Sequence, residues 1–596
     1  MSDGSAVRHY AAPQMPELSI VTPAFNQAET IQATLGEILR RLDSQGLDFE
    51  LIVVSDGSKD GTYDAARRLE DPRVRVLDYD RNLGKGFAVR TGSLAARGRW
   101  VAWIDSDLDL DPSRVASFLE LARRDGLDVV VGSKRHPDSA VAYPRRRRVY
   151  SWQYQMLVRA LFALDVRDTQ VGMKLFRRDV LERVLPVVLV KRYAFDLEVL
   201  AVSRHFGYGR IAEHPITLEY QFSGTGVGWR AIANALWDTA AVFYRLRVRR
   251  YYDRQRAFWD RVAAGREEAP RSLTVVTAPA CVDVETGRWL TGLAAALPPE
   301  SRIIVVTERA ENGGAPELPG LMVVETGERR ESRRLRTGAE IARTDIVALL
   351  APAARPSGGW AAAGLSFFGD RSVGAVVGPA VPRLGDDPRA DAAGILTESR
   401  LGVGGARMRS RVGGMHHISA FPLTNVFVRR DALQEAIDSG DELDDELCAA
   451  ICERTGLSAI LSPDAIVTTR PSALFGPYLR RIHGIGIDRG ARFSPGRMMR
   501  VRYVAPVALL AVAALGPLAL AAGAPWSGLW GAAMGVYAAS LLGLGALTFL
   551  MYRPPRLTLL VMGGALASHV AFGLGLLRGV LRRRRGARSE LSPAPR

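Results

Sequence analysis

Cysteine is scarce in this chain: Cys281, Cys448 and Cys452 are the three among 596 residues. They form no CxxC pair, so no disulfide framework is expected, and a reducing compartment fits. Residues 1–16 lack an apolar run of signal-peptide length, so the first folded domain is expected to stay on the cytoplasmic side. Acidic residues are in deficit, 63 against 79 Lys and Arg, which leaves a formal charge of +16. The arginines cluster at 145–148, 245–256 and 582–585, suiting anionic lipid or phosphorylated substrates. Nucleic acid is disfavoured, because these clusters lie beside apolar spans and no nucleic-acid motif accompanies them.

What is present is the composition of a folded protein, 47% hydrophobic and 24% charged, over a length that suggests three or four structural units. The apolar excess lies at the C-terminal end, in stretches 503–523, 529–550 and 557–577. Each has about 21 residues and spans about 31 Å as a helix. Arg500 and Arg502 before the first stretch, with Arg553 and Arg556 after the second, predict a hairpin with both ends inside. A third crossing would then put Arg582 to Arg585 outside. The glycines and His569 of the third stretch allow a re-entrant or interfacial helix instead, and that reading is adopted.

From Leu18 onward, β-rich runs at 18–22, 51–55, 74–77, 100–104 and 129–132 alternate with helical stretches. Their starts recur about every 30 residues, the spacing of βαβ units in a mostly parallel sheet. Ligands of such sheets sit beyond the carboxyl ends of the strands, where Asp56 and Asp105 fall. Either aspartate alone reads equally as a turn residue or helix cap. A second series of strands, from 273 to 377, looks like a repeat of the first. Aligning 96–107 with 342–353 replaces Asp105 and Asp107 by Ala351 and Ala353. The polar stretch 264–271 marks the boundary between the copies. Just before it, 229–259 reads either as a helix packed on its own domain or as one resting at anionic headgroups.

Asp105-Ser106-Asp107 follows an apolar strand, and a turn there can aim both carboxylates at one point. Two hard oxygen ligands suit Mg²⁺ or Mn²⁺ with a diphosphate, although Asp109 and Asp111 leave the ligand set open. Asn82-Leu83-Gly84-Lys85-Gly86 enters a helix. Its glycines permit close backbone approach, and Lys85 with the helix N-terminus favours an anion; a plain helix-entry turn is the simpler alternative.

Thr22-Pro23-Ala24-Phe25-Asn26, Ser55-Asp56-Gly57-Ser58, the 82–86 loop and Asp105-Ser106-Asp107 together resemble the family-2 glycosyltransferases of the GT-A fold. The segment Asp168-Thr169-Gln170-Val171-Gly172-Met173-Lys174-Leu175-Phe176, followed by Arg192-Tyr193-Ala194-Phe195-Asp196-Leu197-Glu198, looks like the dolichyl-phosphate β-glucosyltransferase branch. The resemblance implies an α/β GT-A domain at 14–255 and inverting transfer of a hexose, glucose from UDP-glucose, to polyprenyl phosphate. By the same token Pro23, Phe25, Asn26, Asp56, Asn82, Gly84, Lys85, Gly86 and Asp105 would bind the nucleotide, and Asp105 and Asp107 the metal. Asp168, Gln170 and Asp196 would line the reaction site. Lys134, Arg135, Arg145 and Arg148 are candidates for clamping the acceptor phosphate, or form a solvated or headgroup-binding face.

A linker at 256–271, a degenerate glycosyltransferase-like α/β domain at 272–500, transmembrane helices at 501–581 and a basic tail at 582–596 complete the expected architecture. Residues 423–430, 441–448 and 478–484 resemble the acceptor half of other family-2 transferases, and Asp444 or Asp445 reads as a remnant base or as part of a solvated acidic run. The whole predicts a multi-pass membrane enzyme with a cytoplasmic catalytic domain, a nucleotide-sugar donor and a lipid phosphate acceptor, of undetermined oligomeric state. Two rivals stand beside it. One is transfer to a polysaccharide or glycolipid hydroxyl, which needs a base such as Asp196; the other is a noncatalytic nucleotide-sugar-binding scaffold.

Overall fold

A computed structural model describes residues 15–79, 81–139, 145–190, 194–217, 229–265, 268–311, 314–385, 387–399, 401, 415–418, 423–440, 443, 447–491, 501–552 and 554–589. The first unit runs β1 (Leu18–Ala24), α1 (Ile31–Asp43), β2 (Phe49–Asp56), α2 (Thr62–Arg67), β3 (Val74–Tyr79), α3 (Lys85–Ala95), β4 (Trp100–Trp103), α4 (Arg114–Arg124) and β5 (Val129–Ser133). It continues through α5 (Arg145–Phe162), β6 (Lys174–Arg177), α6 (Arg178–Val184), α7 (Phe195–His205), β7 (Ile211–Pro215), α8 (Trp229–Phe243) and α9 (Tyr251–Ala264). Every residue of β2 and β4 is buried, as expected of strands covered by helices on both faces.

The described strands order as β3-β2-β1-β4-β6-β5-β7. Pairings among β1 to β4 are parallel, and β6 runs antiparallel to both β4 and β5. The C-terminal ends of β1, β2 and β4 therefore share one edge, carrying Pro23, Asp56 and, just past β4, Asp105. Insertion of β6 beside β4 brings the turn before Lys174 to that same edge.

The second unit repeats this wiring. Its strands order as Leu321–Glu325, Arg302–Thr307, Thr274–Thr277, Ile346–Leu350, Asn425–Arg429, Val373–Val377 and Ser458–Leu461, with a short further strand, His416–His417, at the edge. Asn425–Arg429 is antiparallel to both neighbours, as β6 is. The register matches too: Trp100 pairs with Arg177, and Ile346 with Arg429. Five residues past those two positions stand Asp105 and Ala351. Asp444 and Asp445 lie outside the described residues.

Residues 229–259 pack on their own domain along one face and leave apolar side chains exposed on another. Val242, Leu246, Tyr252 and Trp259 are buried, whereas Leu236, Trp237 and Tyr244 are exposed. Residues 256–264, placed in a linker by composition, are the last turns of α9, held down by Trp259 and Val262.

The expectation for the apolar end needs correction. Stretch 503–523 is not one spanning helix but divides into Val501–Ala514 and Gly516–Ala521, because Pro517 has no N–H to continue the ladder. The indole of Trp530 donates to the Val512 carbonyl at this break. The helices long and apolar enough to cross a membrane, among the described residues, are Trp526–Leu550 and Pro555–Leu581. The third stretch, expected to lie at the interface, thus has spanning length. It is also lined by the second unit: Leu396 and Leu474 crowd Gly564, and the Leu479–Ala491 helix lies against Gly575 and Gly579.

Candidate active site

The shared strand edge opens into a cavity of about 290 Å³ lined by Pro23, Phe25, Asp56, Lys85, Asp105 and Asp107, together with Ala24, Gln27 and Ser106. Phe25 is 47% exposed, which leaves its ring free to stack on a planar group. The loop carrying it is braced from below. Asn26, in the left-handed region at φ 50°, accepts the Lys59 amide on its side-chain oxygen, and its own amide donates to Ser58 Oγ.

Asp56 is buried, and its carboxylate accepts from the Tyr79 hydroxyl at 2.8 Å, the Leu83 amide at 2.8 Å and the Gly84 amide at 3.1 Å. It thereby shapes the Asn82 to Gly86 loop from within. Gly84, with φ 99°, is the residue preceding α3, a conformation open to glycine. Gly86 is buried in the first turn of that helix.

Lys85 reaches across to Asp105, with Nζ 2.6 Å from Oδ1. Burial acts against the Lys85 charge, but Asp105 and then Asp196 more than offset it and hold the ammonium above its usual pKa. Burial likewise pushes the Asp105 carboxyl up, opposed by Lys85 and reinforced by the like charges of Asp107 and Asp196. Lys85 is thus ion-paired with Asp105 and also feels the charges of Asp196 and Asp107.

The reaction-site candidates come from the 168–176 turn and the start of α7. Asp196 is ion-paired with Lys174, Nζ to Oδ1 2.5 Å, and that lysine is almost wholly buried. Asp168 lies beside Lys134, whose backbone amide it accepts; burial raises its carboxyl above the ordinary range against the pull of Lys134 and Lys174. The Gln170 amide donates to Asp168, while Gln170 itself is exposed. Arg135 is bonded to Gln155 of α5. Arg145 and Arg148 begin α5, but their side chains lie outside the described residues, as do Arg192 and Tyr193.

Three residues without an assigned role prove central to this geometry. Lys174 fixes Asp196, Gly172 leaves space for Asp105, and Arg81 holds the head of the 82–86 loop. Lys174 was within reach of sequence reasoning, since a lysine at a strand start one motif away from an aspartate needs a partner when buried.

Residues 19–185 match the sequence model of Glycosyl transferase family 2. This stretch is a family-2 glycosyltransferase domain. The chain is 36% identical over 207 residues to Glycosyltransferase AglD of Haloferax volcanii, covering 34% of this chain and 33% of that one. It is 35% identical over 208 residues to the dolichyl-phosphate beta-glucosyltransferase of Drosophila melanogaster, covering 32% of this chain and 63% of that protein. The chain therefore spans between a third and just under two thirds of the length of these relatives. Among solved structures, glucosyl-3-phosphoglycerate synthase from Mycobacterium tuberculosis, in complex with UDP, matches at 20% identity and TM-score 0.30, over 38% of this chain and 79% of that one. So slight a likeness carries no functional argument. The family domain contains the cavity residues, and Asp196 and α7 lie just beyond its matched end.

Proposed function

We propose that the N-terminal domain transfers a hexose, glucose from UDP-glucose, to the phosphate of a polyprenyl lipid at the cytoplasmic membrane face, inverting the anomeric centre. The observation that carries this reading is the meeting of Phe25, Asp56, Lys85, Asp105 and Asp107 in one cavity, with Asp196 close enough to act on Lys85. The glucosyl donor and lipid acceptor are supported by the likeness to relatives described as dolichyl-phosphate beta-glucosyltransferases.

In this reading an oxygen of the acceptor phosphate bonds to the anomeric carbon as the bond to the donor diphosphate breaks, and the nucleoside diphosphate departs with the electron pair. A phosphate monoester is largely dianionic near pH 7, with a second pKa of about 6, so no side chain need take a proton. Lys85 offers its ammonium to the departing diphosphate, and Phe25 stacks on the base. Lys174 holds Asp196 as a fixed anion facing the sugar. Lys134, Arg135, Arg145 and Arg148 receive the acceptor phosphate.

Asp105 and Asp107 fit a divalent ion: they are hard oxygen donors, and a cation, the Lys85 ammonium, already sits on Asp105. Among the described residues no three His, Cys, Asp or Glu side chains are grouped to hold a metal ion, so substrate phosphate would have to complete its coordination. Mg²⁺ or Mn²⁺ held there supplies charge neutralisation for the leaving group.

The second unit is in this reading a degenerate copy that transfers no sugar. Ala351 and Ala353 offer no ligand, and Arg355 lies in a short strand paired with Thr468. It docks the enzyme on its anchor, the helices Trp526–Tyr552 and Pro555–Ser589.

Detergent-solubilised full-length chain, given radiolabelled UDP-glucose with polyprenyl phosphate, is expected to yield labelled lipid and free UDP. Label appearing only on hydroxyl acceptors would reassign the acceptor and make Asp196 the base. GDP outcompeting UDP would reverse the donor, and nucleotide binding without turnover on any acceptor would favour the scaffold.

A further inference from the structure

We infer that the second unit and the membrane hairpin position the nucleotide-binding loop, through a clamp in which Arg81 is held by Glu398 and Tyr552. The inference rests on the reading of the cavity as a nucleotide site. Arg81 immediately precedes the loop that Asp56 fixes from the other side. Its guanidinium is ion-paired with Glu398, at the end of the Pro388–Glu398 helix, and also donates to the Tyr552 hydroxyl, at the end of the Trp526–Tyr552 helix, at 3.4 Å. Arg81 and Glu398 are both largely buried, at 21% and 16% side-chain exposure, so the pair is shielded from water and salt.

Backbone contact makes this clamp tight. A Cβ on Gly57 would lie 2.1 Å from the Arg81 carbonyl carbon and from the Asn82 nitrogen, so the loop after β2 and the loop before α3 move together. The neighbouring loop is tied to the same part of the second unit: Lys59, whose amide is held by Asn26, donates its ammonium to the Leu384 carbonyl at 2.8 Å. Both loops that build the nucleotide end of the cavity are thus fastened to the 384–398 segment. That segment rests in turn on the Pro555–Ser589 helix, where Leu396 meets Gly564.

Arg81 and Glu398 touch none of the reacting atoms and are positioning residues. By linkage, seating of the 384–398 segment strengthens nucleotide binding, and nucleotide binding strengthens that seating. The test compares wild type, Glu398→Gln, Arg81→Met, the double variant and Tyr552→Phe in the full-length solubilised chain. UDP and GDP binding are measured by calorimetry, and donor KM and kcat with saturating lipid acceptor.

The expected result is a rise of about fivefold or more in nucleotide Kd and donor KM for either charged variant, with kcat within about twofold and no further loss in the double variant. Nucleotide should also slow hydrogen exchange in residues 388–398 of wild type, and less so in Tyr552→Phe, which keeps the ion pair and so covers the case in which a charged variant misfolds. Unchanged Kd and KM in a folded Glu398→Gln chain, or exchange in 388–398 indifferent to nucleotide, overturns the inference while leaving the cavity reading intact. Wild type that binds neither nucleotide defeats the cavity reading itself, and the inference with it.

Discussion

Gly172 and Asp105 are in such close apposition that a Cβ on the glycine would lie 2.1 Å from Oδ2 of the carboxylate. The turn before β6 therefore admits no side chain at 172 without turning Asp105 away from Lys85 and the cavity. Gly172→Ala is expected to lower turnover by about a hundredfold, the scale on which a misplacement near 1 Å acts. Its melting temperature should stay near that of wild type, because the displaced group lies at the cavity and not in the core. Wild-type turnover in this variant would show that Asp105 need not stand where it does.

Asp105→Ala with Asp107→Ala removes both hard donors while the second unit and the helical hairpin are kept. Sugar transfer to any lipid or glycan acceptor is expected to fall to background, with far-UV circular dichroism unchanged. Excess chelator should do the same to wild type, and added Mg²⁺ or Mn²⁺ should restore it. Near-normal transfer by the double variant would mean that the second unit is an active enzyme.

Glu50 ties β1, β2 and the turn before β4 together: it accepts from Ser19 Oγ at 2.7 Å and the Arg97 amide at 2.7 Å, and pairs with Arg75 and Arg97. Burial alone would raise its carboxyl, but these donors together bring it below the usual range. A carboxyl depressed on folding stabilises above its unfolded pKa of about 4.3 and loses that contribution as pH falls through the folded value. Glu50→Gln should cost roughly 1–3 kcal/mol at pH 7 by leaving its donors underpaired, and the gap to wild type should narrow below about pH 4. Thermal melts across that range decide it; parallel curves would exclude Glu50 as a source of acid lability.

Gly486 and Gly490 face Gly575 and Gly579, two GxxxG pairs that let the Leu479–Ala491 and Pro555–Ser589 helices touch backbone to backbone. A Cβ at Gly575 would lie 2.2 Å from the His483 carbonyl oxygen, and one at Gly579 would lie 2.1 Å from that of Ile487. Gly575→Val should part the helices and speed amide exchange across 479–491, at a cost of about 1–3 kcal/mol. Gly484→Ala, which meets nothing within 4 Å, should leave that exchange unchanged or slower.

Local pattern along the chain encodes which runs are strands, where each ends, and which carboxylates and glycines stand at those ends. Strand period and turn chemistry act over a few residues, so the positions of Asp56, the 82–86 loop and Asp105 at or just past the strand ends were legible. What those groups face follows from packing over long separations. Asp56 meets amides 27 and 28 residues further on, Lys174 reaches Asp196 across a sheet insertion, and Arg81 finds Glu398 at a separation of 317 residues. Hydropathy counted three equal apolar stretches, because it sums side chains and is blind to the backbone donor missing at Pro517. Pairings of this kind depend on how whole elements pack, and no pattern along the chain encodes a partner hundreds of residues away.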